Sequence, residues 1–229
     1  MRRTGRVAAV SAVLVALLAG CAASESAKDA SGVTREETQM MSLHEQYVLA
    51  GERYMSLNDR VAALQREVFE DAWKDGGASS EVIPGSGYTH GGELEGDERG
   101  ESYYFSVSRW HQAEREAKTL LTRVADNWSA KSWDVGRERS SYNGEERITT
   151  TTPEGYWFEL AEQGSEISLT GFSPVYWGDE LKISMAIGAR RDAEREGGLA
   201  WYSDHPMVEG RMTLLPGVYR PFPAWDAVK

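Results

Sequence analysis

The chain has 229 residues, 41% of them hydrophobic and 27% charged, with 36 acidic against 25 basic side chains, a net charge of −11 and one cysteine. This describes a folded acidic body large enough for one domain with decorations or two small ones. It lacks the basic excess that phosphate binding requires, so no nucleic-acid partner is expected. A single cysteine also excludes an internal disulfide or a Cys-based zinc site within one chain.

Residues 1–20 begin with Arg2, Arg3 and Arg6 and continue as an apolar run from Val7 to Ala19. That run is shorter than the roughly 20 apolar residues a membrane span needs, and it ends in small residues, the pattern of a secretory signal. Leu18-Ala19-Gly20-Cys21 resembles the lipobox of bacterial lipoproteins. The resemblance implies a diacylglycerol on the Cys21 sulfur, cleavage just before it and acylation of the new amino group. Two or three acyl chains would hold the protein stably on the membrane. Losing Arg2, Arg3 and Arg6 with the signal takes the net charge from −11 to −14. The body then stands off an anionic bilayer, held by its lipid alone. Residues 22–33 are small and polar and read as a flexible tether; residues 34–229 read as one domain.

Thr34 followed by Glu37 fits a capping box and starts a helix. Apolar positions then recur at Met40, Leu43, Tyr47, Ala50, Tyr54, Leu57, Val61, Leu64 and Val68 in alternating steps of three and four. The flanking His44, Gly51, Asn58 and Gln65 supply few pairable charges. A long helix packing on its own domain, broken near Asn58, is therefore favoured over a dimerising coiled coil, and a monomer over a homodimer. From 75 to 101, glycines alternate with acids and apolar residues are few, which predicts a mobile loop.

Residues 103–109 alternate as a strand, with Tyr103, Phe105 and Val107 on one face and Tyr104, Ser106 and Ser108 on the other. An amphipathic helix follows along Ala113, Ala117, Leu120, Leu121, Val124 and Trp128. Strands are expected at 132–140, 145–152, 156–162 and 166–172, separated by turns at Asn143-Gly144, Pro153-Glu154-Gly155 and Gln163-Gly164-Ser165. The order β-α-β-β-β defines an α+β two-layer sandwich, an antiparallel-rich sheet with the long amino-terminal helix packed on it. Beyond 175 the pattern weakens: Leu181, Ile183, Met185 and Ile187 alternate as a strand that runs into a helix, and the proline-rich end reads as an irregular tail.

The lipobox, the helix, the glycine-rich segment and the strand-helix-strand run closing on TTPEGYWFEL and ISLTGFSP resemble small actinobacterial lipoproteins of the LppA-like kind over about residues 1–175. That class is uncharacterised. Many of its members carry a cysteine in the glycine-rich segment and another after the final Thr-Gly, which looks like a disulfide. Here the comparable stretches read Gly85-Ser86-Gly87 and Gly171-Phe172-Ser173.

No nucleophile motif such as G-x-S-x-G, S-x-x-K or H-E-x-x-H occurs, and no phosphate-cradling loop with its lysine. His44, His90, His111 and His205 show no pairing at metal-ligand spacing, so neither a metal nor a cofactor is expected. Asp204-His205 reads as a solvated turn and His111 as a surface residue. The feature that remains is the far face of the sheet. If Tyr156, Phe158, Leu160, Ile167 and Leu169 face the helices, then Tyr104, Thr149, Thr151, Trp157, Glu159, Ser168 and Thr170 face away. Rings supply apolar area and hydroxyls orientation, a mixture that suits a sugar polymer or an extended peptide. Tyr104, Trp157, Glu159 and Thr170 are the candidate binding residues, unless the carboxyl-terminal segment covers this face. The first functional reading is a non-enzymatic, lipid-anchored envelope protein with a cell-wall or envelope-protein partner. The alternative is an envelope hydrolase or lytic accessory using a carboxylate and His205.

Overall fold

The computed structural model describes residues 27–76, 82–90, 92–113, 117–198, 201 and 205–227. Cys21 and Asp204 lie outside them. The amino-terminal helical region is two helices, α1 (Arg35–Met40) and α2 (Leu43–Val68), each opened by a complete capping box. Thr34 and Glu37 close the first box and Ser42 and Glu45 the second. The break therefore falls at Met41-Ser42, where a second Ser-x-x-Glu offers a better start than the continuing helix. It does not fall near Asn58, whose Nδ2 donates to Tyr54 O inside an uninterrupted α2.

After α2 come β1 (Trp73–Asp75), β2 (Ile83–Pro84), β3 (Ser102–Tyr104), β4 (Ser106–Gln112), α3 (Ala117–Ala130), β5 (Asp134–Arg139), β6 (Glu146–Thr151), β7 (Trp157–Gln163) and β8 (Glu166–Phe172). The chain closes with β9 (Tyr176–Trp177), α4 (Glu180–Glu196), β10 (Met207–Val208) and β11 (Arg211–Leu214). The main sheet is antiparallel and ordered β10-β11-β1-β4-β8-β7-β6-β5; β2-β3-β9 make a small second sheet. The fold is α+β. Helix α2 packs across β4 and β8, α3 packs on β5, β6 and β7, and α4 lies against α2. α2 and α3 thus cover one face of the sheet, and Ile183 and Ile187 of α4 join the core on the same side. The seam from Tyr47 to Val68 is buried in the core this creates, with Phe105, Val107, Phe158, Leu160, Ile167 and Leu169 opposite it. The crossing is close: a Cβ on Gly171 would come within 2.8 Å of Val61 Cγ2.

Several expectations are corrected. The end of the tether is docked: Asp29 is buried, and Lys28 bridges Thr34. In the glycine-rich segment, β2 pairs with β3 and Val82 and Tyr88 are buried, because the few apolar residues there find the sheet. Residues 181–187 are helix rather than strand. A two-residue step advances 200° around a helix, so Ile183 and Ile187 turn inward while Leu181 and Met185 stay exposed. Beyond 175 the chain is largely regular: α4 follows an Asp179 cap, and β11 extends the sheet by pairing with β1. Among the described residues no helix is long and apolar enough to cross a membrane.

Candidate functional site

The face of the sheet away from the helices is exposed toward β5 and β6, while Ser168 and Ala161 nearer its middle are buried. The end of the described carboxyl-terminal segment packs on α2, where Phe222 meets Tyr54 at 5.6 Å and Trp225 meets Tyr47 at 5.1 Å between ring centroids. Arg211 of β11, by contrast, lies over the Trp110 ring at 4.9 Å on this face. Strand register sets the open face out in rows. Ser108, Thr170, Glu159 and Thr149 stand side by side across β4, β8, β7 and β6, and Gly136 of β5 ends the row. The next row runs Trp110, Ser168, Ala161, Arg147, Glu138. Ser108 and Thr170 share a hydroxyl hydrogen bond of 3.2 Å. Gly136 keeps the end of the first row low, since a Cβ there would lie 2.7 Å from Thr149 Oγ1.

Glu159 is the charged centre of this surface. Arg147 Nη1 lies 3.4 Å from its Oε2, and the same guanidinium grips Glu138. Burial pushes the Glu159 carboxyl above the ordinary carboxylate range; Arg147 pulls it back in part and Glu138 adds to the rise. A hollow of about 440 Å³ opens over this group, lined by Glu138, Arg139, Glu146, Arg147, Glu159 and Glu162 among others. Its walls carry charge of both signs, and of the first row it reaches only Glu159, lying toward the β5-β6 turn.

One end of the face is roofed. The segment after β2 folds back so that His90 stacks on Trp157 at 4.0 Å and contacts Phe172 at 4.6 Å, while Tyr88 meets Tyr104 at 4.8 Å. Tyr88, just after Gly85-Ser86-Gly87, meets Phe172 at 6.4 Å between ring centroids. Burial lowers the His90 pKa, favouring the neutral form of the stacked imidazole. Of the four candidate binding residues, Glu159 and Thr170 are register partners on the open surface, whereas Tyr104 and Trp157 belong to the roofed cluster. Arg147, Glu138 and Thr149 complete the site. Thr149 was legible from alternation, but the arginine and Glu138 come from strands whose partners only the register reveals.

The histidines do not form a catalytic set. His44 packs on Trp225, and His205 packs on Trp201 with Nδ1 2.9 Å from the Trp201 carbonyl oxygen. His111 is not a surface residue at the start of a helix. It ends β4, stacked on Phe69 at 4.1 Å with Nε2 2.8 Å from Asp71 Oδ1. Among the described residues no cluster of three His, Cys, Asp or Glu could hold a metal ion.

No family model matches the chain, and no curated protein matches it. Among solved structures, a DUF4853 family protein from Actinomyces odontolyticus is similar at 12% identity and a TM-score of 0.38, over 56% of this chain and 69% of that one. A likeness at that level carries no argument about fold or function.

Proposed function

We propose that this chain is a lipid-anchored protein of the cell envelope, of the uncharacterised actinobacterial kind it resembles, attached through Cys21 to the outer face of the cytoplasmic membrane. It works without catalysis, by binding a cell-wall or envelope-protein partner on the open sheet face. One observation carries the reading: α2 and α3 pack on one side of the sheet, and the other side carries Thr149, Thr170, Glu159 and Arg147, the last two lining a hollow toward the β5-β6 turn. Polar groups fixed on a rigid sheet fit recognition of a hydroxyl-rich or amide-rich ligand, because their geometry is set before binding. For a hydrolase, an acid and a base would have to stand free across the scissile bond. Glu138 and Glu159 are instead both held on Arg147.

Crosslinking in living cells tests the proposal, comparing the intact chain, a secreted Cys21→Ser form and an Arg147→Ala/Thr149→Ala form. A specific partner or glycan captured by the intact chain and lost with the double substitution is the expected result. Equal capture by the double variant would move the site elsewhere. Turnover of isolated cell-wall material that disappears in Glu159→Gln would replace binding by hydrolysis.

A further inference from the structure

The anchor reading makes the membrane side of the domain a question of geometry. Ala27 is fixed where Trp177 Nε1 donates to its carbonyl oxygen at 3.0 Å. Two residues on, Asp29 is clasped. Its Oδ1 accepts from Ser31 N, Ser31 Oγ and Val33 N, and its Oδ2 from Trp177 N at 3.2 Å and Arg53 Nη2 at 3.3 Å. Arg53 also donates to the Tyr103 hydroxyl at 2.7 Å and lies over the Tyr176 ring. The chain therefore leaves the domain at a fixed point beside Trp177. From Cys21 to Ala27 is six residue steps, which span at most about 21 Å. A domain of this size has a radius of roughly 20 Å. A lipid at Cys21 then keeps the exit point on the half of the domain that faces the bilayer.

Around that exit point the surface mixes paired charges, Arg35 with Glu101 and Lys182 with Asp179, with exposed apolar side chains. Trp177 lines a cavity of about 260 Å³ together with Gln39, Met41, Asp179 and Lys182. Met40, between two of those wall residues, is 79% exposed; Leu181, between two others, is 62% exposed. Met185, one turn further along α4 on the same side, is 67% exposed. Met40 and Leu181 thus adjoin lining residues of one hollow, and Met185 follows Leu181 by a turn. Three large apolar side chains exposed so near one another are unusual for a face that meets only solvent. The basic neighbours Arg35 and Lys182 are paired with Glu101 and Asp179, and Glu36 and Glu180 add negative charge, so attraction to anionic headgroups does not explain them.

We infer, resting on the lipid-anchor reading, that Met40, Leu181 and Met185 form a membrane-contact surface covered by the bilayer that holds the Cys21 lipid. The side chains enter the interfacial zone, and the short tether supplies the attachment that three residues alone would not.

The test uses single cysteines in the acylated chain, whose own Cys21 sulfur is blocked by lipid, reconstituted in phosphatidylcholine vesicles and probed with a charged maleimide. Met40→Cys and Leu181→Cys should label at least tenfold more slowly there than in the same variants carrying Cys21→Ser. Tyr142→Cys, on the 97% exposed turn at the opposite end of the strands, should label equally in both. Equal labelling of Met40→Cys and Leu181→Cys in both chains, with acylation confirmed by mass, overturns the contact surface and leaves the anchor standing. Slow labelling in both chains means that a second copy covers the patch, and also overturns it. A Cys21 without acyl mass removes the anchor, and the inference with it.

Discussion

At the scale of single residues, Arg109 and Arg147 of the main sheet differ in what losing a partner costs. Arg109 points to the helix side, 2% exposed, with Asp75 Oδ1 at 2.7 Å as its counter-charge. Burial lowers the Arg109 pKa, which marks a charge held in place by its partner. Asp75→Ala leaves that charge buried and alone, and should cost about 3 kcal/mol or more. In calorimetry this is a fall in Tm on the order of 10 °C. Adding Arg109→Met should restore most of the loss. Arg147, half exposed between Glu138 and Glu159, should lose no more than about 1 kcal/mol on conversion to alanine. Glu159 supplies the pH dependence. Its folded pKa is raised, chiefly by burial, so the folded state favours the protonated form. That contribution is complete below the unfolded value of about 4.3 and is lost as pH rises through the folded one. Glu159→Gln should therefore have the higher Tm at pH 7, converging on the parent toward pH 4, while partner binding falls. A melting series across pH separates these two effects, and a lower Tm for the variant at pH 7 would contradict the account of Glu159 as a carboxylate kept at a stability cost for recognition.

At the scale of elements, the closest joint is where α2 crosses β8. Gly171→Ala would push a methyl to within 2.8 Å of Val61 and 2.9 Å of Phe158, both in the core. Neither neighbour is a flexible side-chain tip, so the expected cost is about 1–3 kcal/mol, visible as a lower urea midpoint at unchanged slope. Most of this layer was legible beforehand. The 3-and-4 spacing of α2, the alternation of β6, β7 and β8 and the Asn143-Gly144 hairpin are local patterns, and local patterns survive folding. What the sequence hid was of two kinds. Some elements carry two readings at once: Leu181 to Ile187 alternates like a strand yet also satisfies a helix, and the Asp179 cap decides between them. Others are too short to show a period, as with β1 and β11, which exist because Lys74 and Trp73 find Thr213 and Leu214 across the sheet. The candidate site divides along the same line. Thr170 and Glu159 could be read from alternation, but the roof over Trp157 depends on His90, which sits in a segment whose glycines and acids promised only a loop.

At the scale of the whole molecule, the chain exit and the site are linked through strand direction. Trp157 and Thr151 lie at the end of the strands near Asp29, since His90, Thr151, Lys28 and Asp29 border one hollow. The β5-β6 turn that carries Tyr142 lies at the other end. Under the lipid-anchor proposal, an exit held near the bilayer would stand the strands away from the membrane and turn the open face sideways, accessible to a polymer or partner lying above the surface. This orientation depends on Asp29, because its one carboxylate ties the exiting segment to both α2 and β9, through Arg53 and Trp177 N, beside the single bonds Ala27 makes to Trp177 and Ser31 to Arg53. Asp29→Ala strips Arg53 of its carboxylate and frees residues 27–33, adding about 25 Å of slack to the tether. Two consequences follow that a merely destabilised protein would not share. Trypsin should cut after Lys28 many times faster while the core from α2 to β8 stays protected, because local opening of the segment no longer costs the clasp. On vesicles, Met40→Cys combined with Asp29→Ala should regain much of its labelling rate, since the longer tether lets the domain tumble. If cleavage after Lys28 were as slow in Asp29→Ala as in the parent, the clasp would not be what fixes the exit, and the sideways presentation of the open face would lose its structural cause.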